Sequence, residues 1–170
     1  MIRNMMSNSN KGLGTTDVLP VDQSRIEVLN GTVDYKNVPL GSYDILGRFA
    51  SAGQRDYTEE LNLIQSMGFN AYRISISWAR IFPSGEELQP SEEGLKYYEA
   101  IINDVLEKDI EPIVTLSHFD LPLNLYEKYG AWKSRKMIEL FERYAEAVFQ
   151  HFKDKVKYWI TFNEFNVLHH

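Results

Sequence analysis

A glutamate near the end of the chain is the strongest candidate for acid–base chemistry. Glu164 follows the apolar run 156–162, which places it at the end of a predicted strand. Its aromatic neighbours Trp159, Phe162 and Phe165 are expected to desolvate the carboxyl group. Desolvation raises the pKa of a carboxyl group and suits it to general-acid catalysis. The same position also fits an ordinary surface glutamate, and spacing alone does not decide between the two.

Three further polar residues could bind a substrate or support the chemistry. Asn163 carries an amide that can donate to and accept from a sugar hydroxyl group, although asparagine is also common in turns. His118 could bind a substrate hydroxyl group or be a core histidine bonded to the backbone. Inside a barrel Arg73 must meet a carboxylate, either a catalytic one that it keeps ionised or a structural partner. A metal site at His118 and Asp120 lacks a third ligand, so we expect no metal and no cofactor.

These residues require strands that end on the same side of one sheet. Alternating apolar and polar residues predict a strand over 70–78, with Arg73 on its polar face. Apolar runs predict two more strands, at 111–117 and 156–162. A helix is predicted before each strand, and alternating helices and strands imply a parallel sheet with helices packed outside it.

The predicted helices have recognisable ends and apolar faces. The first begins at Thr58 and stops at Gly68, and the second is capped by Ser91. Trp132, just before the third helix, is expected to pack rather than to form a substrate platform. Helical spacing predicts that the third helix buries one stripe of residues: Ile138, Phe141, Ala145, Val148, Phe149 and Phe152.

The polar candidates recur along the chain at near-equal intervals. Near-equal βα units that deliver polar groups to one end are what a (β/α)₈ barrel requires. We therefore predict an α/β fold, specifically a partial (β/α)₈ TIM barrel with about three βα units and parallel strands. Residues 1–57 are predicted to be a loop-rich N-terminal segment, and residues 58–170 the partial barrel domain. A complete barrel needs about 250 residues, so the last strand is expected to have an open edge that invites self-association.

Composition excludes several functional classes. The 170-residue chain has a formal net charge of −6, which argues against a nucleic-acid partner. It contains no cysteine, so a thiol nucleophile, a Cys-based zinc site and a disulfide scaffold are excluded. No apolar run approaches the roughly 18 residues of a membrane span, and residues 1–10 lack the apolar core of a secretory signal. The expectation is a cytoplasmic protein without a membrane partner.

Three segments, in this order, resemble motifs of the family 1 glycoside hydrolases. RISISWARIFP at 73–83 resembles their second-strand segment, TLSHFDLP at 115–122 their third-strand segment, and TFNE at 161–164 their acid/base motif. The resemblance implies a retaining β-glycosidase on a (β/α)₈ barrel. It also implies that Glu164 is the general acid/base.

The resemblance implies roles for the other candidates as well. Asn163 would bind the sugar 2-hydroxyl group, His118 would bind the 3-hydroxyl group, and Arg73 would support the nucleophile. Phe119 stands where glucosidases that act on plain sugars usually have tryptophan. Segments 165–167 and 12–20 also resemble the 6-phospho-β-glucosidase branch. That branch cleaves phosphorylated β-glucosides imported by bacterial phosphotransferase systems, so the expected substrate is a β-glucoside or 6-phospho-β-glucoside.

The sequence also departs from the family pattern. No Gln-x-Glu-Gly-like segment of the first strand precedes Asn10, and Gln54 stands in a different context. Ala131 replaces the usual second glycine before Trp132. The nucleophile and the phosphate-binding loop belong to later strands that are absent from these 170 residues.

These departures bear on whether the chain can act alone. Retaining hydrolysis needs two carboxyl groups about 5–5.5 Å apart, and the chain is expected to supply only the first. We therefore expect it to be inactive alone, as part of a 6-phospho-β-glucosidase that a C-terminal half could complement. The alternative is a non-catalytic truncated or split-gene product that binds a partner or nothing. A metal-dependent barrel hydrolase fits less well.

Overall fold

Three parallel strands form the main sheet of the protein. A computed structural model describes residues 11–15, 18–20, 43–45, 57–164 and 166. The strands lie side by side in chain order: β3 (Ala71–Ser75), β4 (Glu111–Ser117) and β5 (Tyr158–Phe162). Because pairing is parallel at both interfaces, all three strands end at the same edge of the sheet. The predicted α/β fold with parallel strands is confirmed.

Helices connect and cover these strands. They are α1 (Tyr57–Ser66), α2 (Trp78–Ile81), α3 (Glu92–Glu107), α4 (Leu123–Tyr129) and α5 (Lys136–Phe152), with a 3₁₀ turn at Ala131–Lys133. Within the ranges that the structure describes, no helix is both long and apolar enough to cross a bilayer.

Two short strands precede the main sheet. They are β1 (Val18–Pro20) and β2 (Tyr43–Ile45), which pair antiparallel. The rest of the predicted loop-rich segment 1–57, Gln54 included, lies largely outside the described residues. Its boundary with the barrel domain stays a prediction.

The ends of α1 and α3 follow the sequence signals. The Ser91 hydroxyl accepts a hydrogen bond from the Gly94 backbone N–H at 3.1 Å, which satisfies one free donor in the first turn of α3. Most of the apolar residues of α3 are buried, with Ile102 and Val105 fully inaccessible. Helix α1 begins one residue before the predicted start, and the chain turns after it at Gly68 with a φ of 79°.

The strand predicted over 70–78 is shorter than expected. It ends at Ser75, and the chain turns into α2 three residues later, at Trp78. The Ser77 backbone N–H donates to the Tyr98 hydroxyl at 2.8 Å, so a side chain of α3 replaces the sheet partner at that point. The last strand also begins late, at Tyr158.

The predicted buried stripe of α5 is wrong at two positions. Ile138 is 57% exposed and Phe149 is 38% exposed. Tyr144, which lies outside the predicted stripe, is fully buried and its ring stacks on Trp78 at 5.1 Å between centroids. The buried residues of α5 are Met137, Leu140, Tyr144, Val148 and Phe152, of which the last two were predicted.

Hydrogen bonds to backbone carbonyl groups explain why Tyr144 fixes the orientation of α5. Its hydroxyl lies 3.1 Å from the carbonyl oxygen of Ile76 and 2.9 Å from that of Leu116. One side chain thus binds two neighbouring backbone segments of the sheet layer. Apolar spacing could not reveal this constraint, because tyrosine is found both in protein cores and on protein surfaces.

Aromatic packing joins this helix layer to β5. Trp132 contacts Trp78 at a centroid distance of 6.2 Å and Phe162 at 5.3 Å. Phe141 of α5 stacks on Phe162 at 4.9 Å. Trp132 is therefore part of the packing, as expected.

Loss of the Tyr144 hydroxyl should destabilise the fold measurably. Tyr144→Phe keeps the ring but removes the donor to the two carbonyl groups. We expect the free energy of unfolding to fall by about 1–2 kcal/mol, measured by urea denaturation. Tyr158→Phe is the matched control, because Tyr158 is 58% exposed and its change should cost less than about 0.5 kcal/mol. Equal effects of the two substitutions would contradict the role of Tyr144.

A second polar cluster makes stability depend on pH. The carboxylate of Glu86 accepts hydrogen bonds from Lys128 at 2.8 Å, Tyr129 at 2.6 Å and Asn124 at 3.1 Å. These hydrogen bonds, above all that from Lys128, lower the pKa of Glu86 from 4.5 to about 2. The stabilisation is complete above pH 4.5 and is lost as the pH falls through about 2.

Glu86→Gln should therefore flatten the acid limb of the stability profile. Between pH 4.5 and 2 the wild-type free energy of unfolding should fall more steeply than that of the variant. Urea denaturation at a series of pH values measures both slopes. The exposed Glu142, changed to Gln, provides the control and should keep the wild-type slope. Parallel profiles for wild type and Glu86→Gln would show that this carboxylate does not contribute.

Candidate active site

The carboxyl edge of the sheet gathers the predicted site residues. Arg73 lies in the middle of β3, and His118 directly follows β4. Asn163 and Glu164 directly follow β5. Residues separated by up to about half the chain therefore meet at one edge because three parallel strands end there.

Arg73 connects all three strands. Its Nε donates to the hydroxyl group of Thr115 in β4 at 2.8 Å. Its Nη2 donates to the side-chain oxygen of Asn163, beyond β5, at 2.7 Å. Both partners are neutral, so neither of them neutralises the guanidinium charge. Arg73 therefore presents a positive group at the carboxyl edge, held in place by two hydrogen bonds.

Asn163 is held at this edge by a second contact. Its backbone N–H donates to the carbonyl oxygen of Ser117 at 2.8 Å, which extends the pairing of β4 and β5 by one bond. The amide group is oriented because its oxygen accepts from Arg73. The nitrogen of that amide is then the end that can donate to a ligand hydroxyl group.

His118 is exposed rather than buried. Its Nδ1 lies 3.1 Å from the hydroxyl oxygen of Ser75 in β3, and its ring packs edge-on against Phe119 at 5.3 Å between centroids. The alternative of a core histidine is therefore wrong. A side chain at the end of a strand projects beyond the packed layer, which leaves the imidazole accessible to a ligand.

Phe119 adopts an unusual backbone conformation. Its φ is 66°, in the left-handed region that residues with a Cβ rarely occupy. The side chain is half-buried beside His118. Such a conformation persists only where the surrounding structure holds it.

Glu164 is exposed, which corrects the expectation that neighbouring aromatic residues desolvate it. Trp159 and Phe162 pack against aromatic residues of α5, at centroid distances of 4.7 and 4.9 Å. Their rings are therefore committed to the helix layer. Phe165 lies outside the described residues. The backbone of Glu164 has a φ of 43°, so the chain turns sharply at this position.

Four small or acidic residues at this edge were not identified as functional from the sequence. Thr115 and Ser75 bind Arg73 and His118, and Ser77 donates to Asp120 at 2.8 Å. The sequence did contain a signal for Ser75 and Ser77, since both share the polar face of the strand predicted over 70–78 with Arg73. Within the described residues, no group of three or more His, Cys, Asp or Glu side chains could hold a metal ion.

The family assignment rests on comparisons with known proteins. The model for glycosyl hydrolase family 1 matches residues 40–170. The chain is 44% identical over 160 residues to the aryl-phospho-β-D-glucosidase BglH of Bacillus subtilis, which covers 94% of this chain and 32% of that relative. It is 39% identical over 161 residues to the 6-phospho-β-glucosidase AscB of Escherichia coli, covering 94% of this chain and 34% of that protein.

A solved structure of a family 1 enzyme is also similar to the chain. The family 1 β-glucosidase from Thermotoga maritima superposes with a TM-score of 0.69 at 33% identity, covering 94% of this chain and 32% of that chain. The chain belongs to glycosyl hydrolase family 1, and the predicted barrel class is confirmed. It spans about a third of the length of these relatives.

Replacing Arg73 with a side chain that makes fewer hydrogen bonds should weaken the pairing at the end of β5. Lysine cannot donate to Thr115 and Asn163 in the planar geometry of arginine. In Arg73→Lys the backbone amide of Asn163 should exchange its hydrogen about tenfold faster, measured by NMR. Arg135→Lys is the control, since Arg135 is exposed and precedes α5. An unchanged exchange rate at Asn163 would show that Arg73 does not hold this edge.

Proposed function

We propose that the chain carries the acid/base half of a retaining β-glycosidase that hydrolyses β-glucosides. The observation that supports this most strongly is the hydrogen bond of 2.7 Å between Arg73 and Asn163. It holds a cationic group and an oriented amide beside Glu164, in a chain that belongs to family 1. A carboxyl group and a hydroxyl-binding amide at one barrel edge are part of what cleavage of a glycosidic bond requires, and the second carboxylate must come from elsewhere in the barrel.

In the proposed mechanism Glu164 acts twice. Its carboxyl group first protonates the bridging oxygen of the glycosidic bond, and the leaving alcohol departs. A second carboxylate forms a covalent bond to the anomeric carbon. Glu164, now ionised, then takes a proton from the water that hydrolyses this intermediate. Its exposed position at the end of β5 leaves it accessible to the substrate and to that water.

The neighbouring residues bind the sugar and support the second carboxylate. Asn163 donates from its amide nitrogen to the 2-hydroxyl group, and His118 binds the 3-hydroxyl group through its exposed imidazole. Arg73 supports the nucleophile, because its two observed partners are neutral and leave its charge available. Phe119 lies beside His118 and completes the sugar-binding edge.

The substrate we propose is a 6-phospho-β-glucoside. Phe119 replaces the tryptophan usual in enzymes for plain sugars, and the names of the BglH and AscB relatives specify phospho-β-glucosides. The chain shares about a third of their length, so the residues that contact the phosphate group are placed in the remaining barrel. The proposal includes a cytoplasmic location, where imported and phosphorylated sugars are found.

The proposal also includes inactivity of the 170 residues by themselves. Among the described strands, β5 pairs on one side with β4, and Tyr158 on this strand is 58% exposed. Ile138 and Phe149 expose further apolar area on α5. The next units of a barrel would cover this surface and bring the nucleophile. We propose complementation by a polypeptide that supplies them, and self-association through the same edge is the competing, non-catalytic outcome.

A complementation assay tests this function. The 170-residue chain is mixed with a polypeptide covering the two thirds of BglH that it does not match, and nitrophenol release from aryl β-glucosides is measured. We expect no turnover from either part alone, turnover from the mixture, and faster turnover of the 6-phosphorylated substrate. Glu164→Gln should reduce the rate by roughly 10²–10⁴-fold, whereas Glu142→Gln should not change it.

Three outcomes of this assay would contradict the proposal. Turnover by the 170 residues alone would refute their inactivity. Activity of the Glu164→Gln mixture equal to wild type would refute the acid/base role. Preference for the unphosphorylated glucoside would refute the substrate assignment. Sedimentation of the chain alone as a stable dimer, together with an inactive mixture, would favour the non-catalytic alternative.

A further inference from the structure

The N-terminal segment 11–15 crosses the loop that follows β4. The backbone N–H of Thr15 donates to the carbonyl oxygen of Leu121 at 2.9 Å. Two residues further along, at the start of α4, the N–H of Leu123 donates to the carbonyl oxygen of Leu13 at 2.8 Å. The segment is therefore bound to the loop like a short strand, although about a hundred residues separate the two in sequence.

A carboxylate stands at the centre of this arrangement. Asp120 accepts a hydrogen bond from the hydroxyl group of Ser77 at 2.8 Å. Its other oxygen faces Gly14 so closely that a Cβ at position 14 would overlap it. Asp120 thus contacts the segment that follows β3 on one side and the N-terminal segment on the other. A side chain at position 14 would have to displace this carboxylate.

The residue that binds Asp120 is also connected to the helix layer. Ser77, which donates to Asp120, also donates its backbone N–H to the hydroxyl group of Tyr98 at 2.8 Å. Tyr98 is a buried residue of α3. The backbone of the residue that binds Asp120 is therefore anchored to α3.

The residues on the N-terminal side of Asp120 are those of the proposed sugar-binding edge. Phe119 has a φ of 66°, a left-handed conformation that residues with a Cβ rarely adopt. The Thr15 hydroxyl lies 3.4 Å from the carbonyl oxygen of Phe119. His118 precedes this turn, and its ring is placed against Ser75. Contacts that hold the turn thus also decide where the imidazole points.

We propose that Asp120 is a positioning residue that orients His118 and Phe119 by joining the segments after β3 and β4 to residues 11–15. The carboxylate does not touch the sugar; it acts through the left-handed turn next to it. The consequence for sugar binding rests on the proposed function, whereas the positioning itself can be tested on the chain alone. Removal of Asp120 releases the turn, and His118 then loses its fixed position against Ser75.

NMR on the 170-residue chain tests this role without any turnover. In Asp120→Ala the ring ¹⁵N signals of His118 should shift, because contact with Ser75 is lost. The backbone amides of Thr15 and Leu123 should exchange at least about tenfold faster, since a hydrogen bond to a charged group is removed. Asp120→Ala should also raise KM in the complemented enzyme more than it lowers kcat.

A matched control separates positioning from general loss of stability. Ser91→Ala removes the N-cap of α3 and should cost a comparable amount of stability, but it should leave the His118 signals unchanged. If Asp120→Ala does not fold, Ser77→Ala replaces it, because it removes the donor and keeps the carboxylate. His118 signals that match wild type in either folded variant would overturn the proposal.

A second substitution checks the contact from the opposite side. Gly14→Ala should shift the same His118 signals, because the new methyl group must displace the carboxylate of Asp120. In the double variant the two effects should not add, since either change alone breaks the contact. Fully additive shifts would contradict a shared contact. An inactive complementation mixture with shifted His118 signals would refute the proposed hydrolysis and leave the positioning role standing.

Discussion

Parallel pairing of three strands is the constraint on which the proposed site depends. Because β3, β4 and β5 run in the same direction, the residues that end each strand are brought to one edge. Arg73 then needs only the reach of its own side chain to contact groups on both of the other strands. A single antiparallel strand would send its terminal residues to the opposite edge, and the contacts at the site would not exist.

The helix layer packs against the sheet through polar as well as apolar contacts. Tyr144 of α5 and Tyr98 of α3 are both buried, and each uses its hydroxyl group to bind backbone near the carboxyl end of β3. Burial raises the pKa of both phenols, so they stay protonated and keep their hydrogen-bonding capacity. The position where β3 gives way to α2 is thus fixed by two side chains from different helices.

The sequence predicts the fold better than it predicts the surroundings of the site. Ser91 and Gly68 mark helix ends by local chemistry, and such signals act over a few residues. The face of α5 was predicted in part: Val148 and Phe152 are buried, whereas Ile138 and Phe149 are exposed. The burial of Tyr144 was missed because its hydroxyl group binds backbone carbonyl groups, which apolar spacing does not reveal. The contact between Asp120 and Gly14 could not be foreseen, since no local pattern links residues about a hundred positions apart.

The hydrogen bonds at the carboxyl edge are in place, but the acid chemistry proposed for Glu164 depends on the rest of a barrel. A general acid at neutral pH requires a raised pKa, which either removal of its carboxyl group from water or a nearby negative charge can produce. The nearby aromatic rings of Trp159 and Phe162 cannot do this, because they already pack against α5. In the proposed enzyme, the groups that could supply such an environment for Glu164 are further barrel loops, the bound sugar and the second carboxylate. The hydrogen bonds that Arg73 makes with Thr115 and Asn163 join described residues only, so they do not depend on that environment.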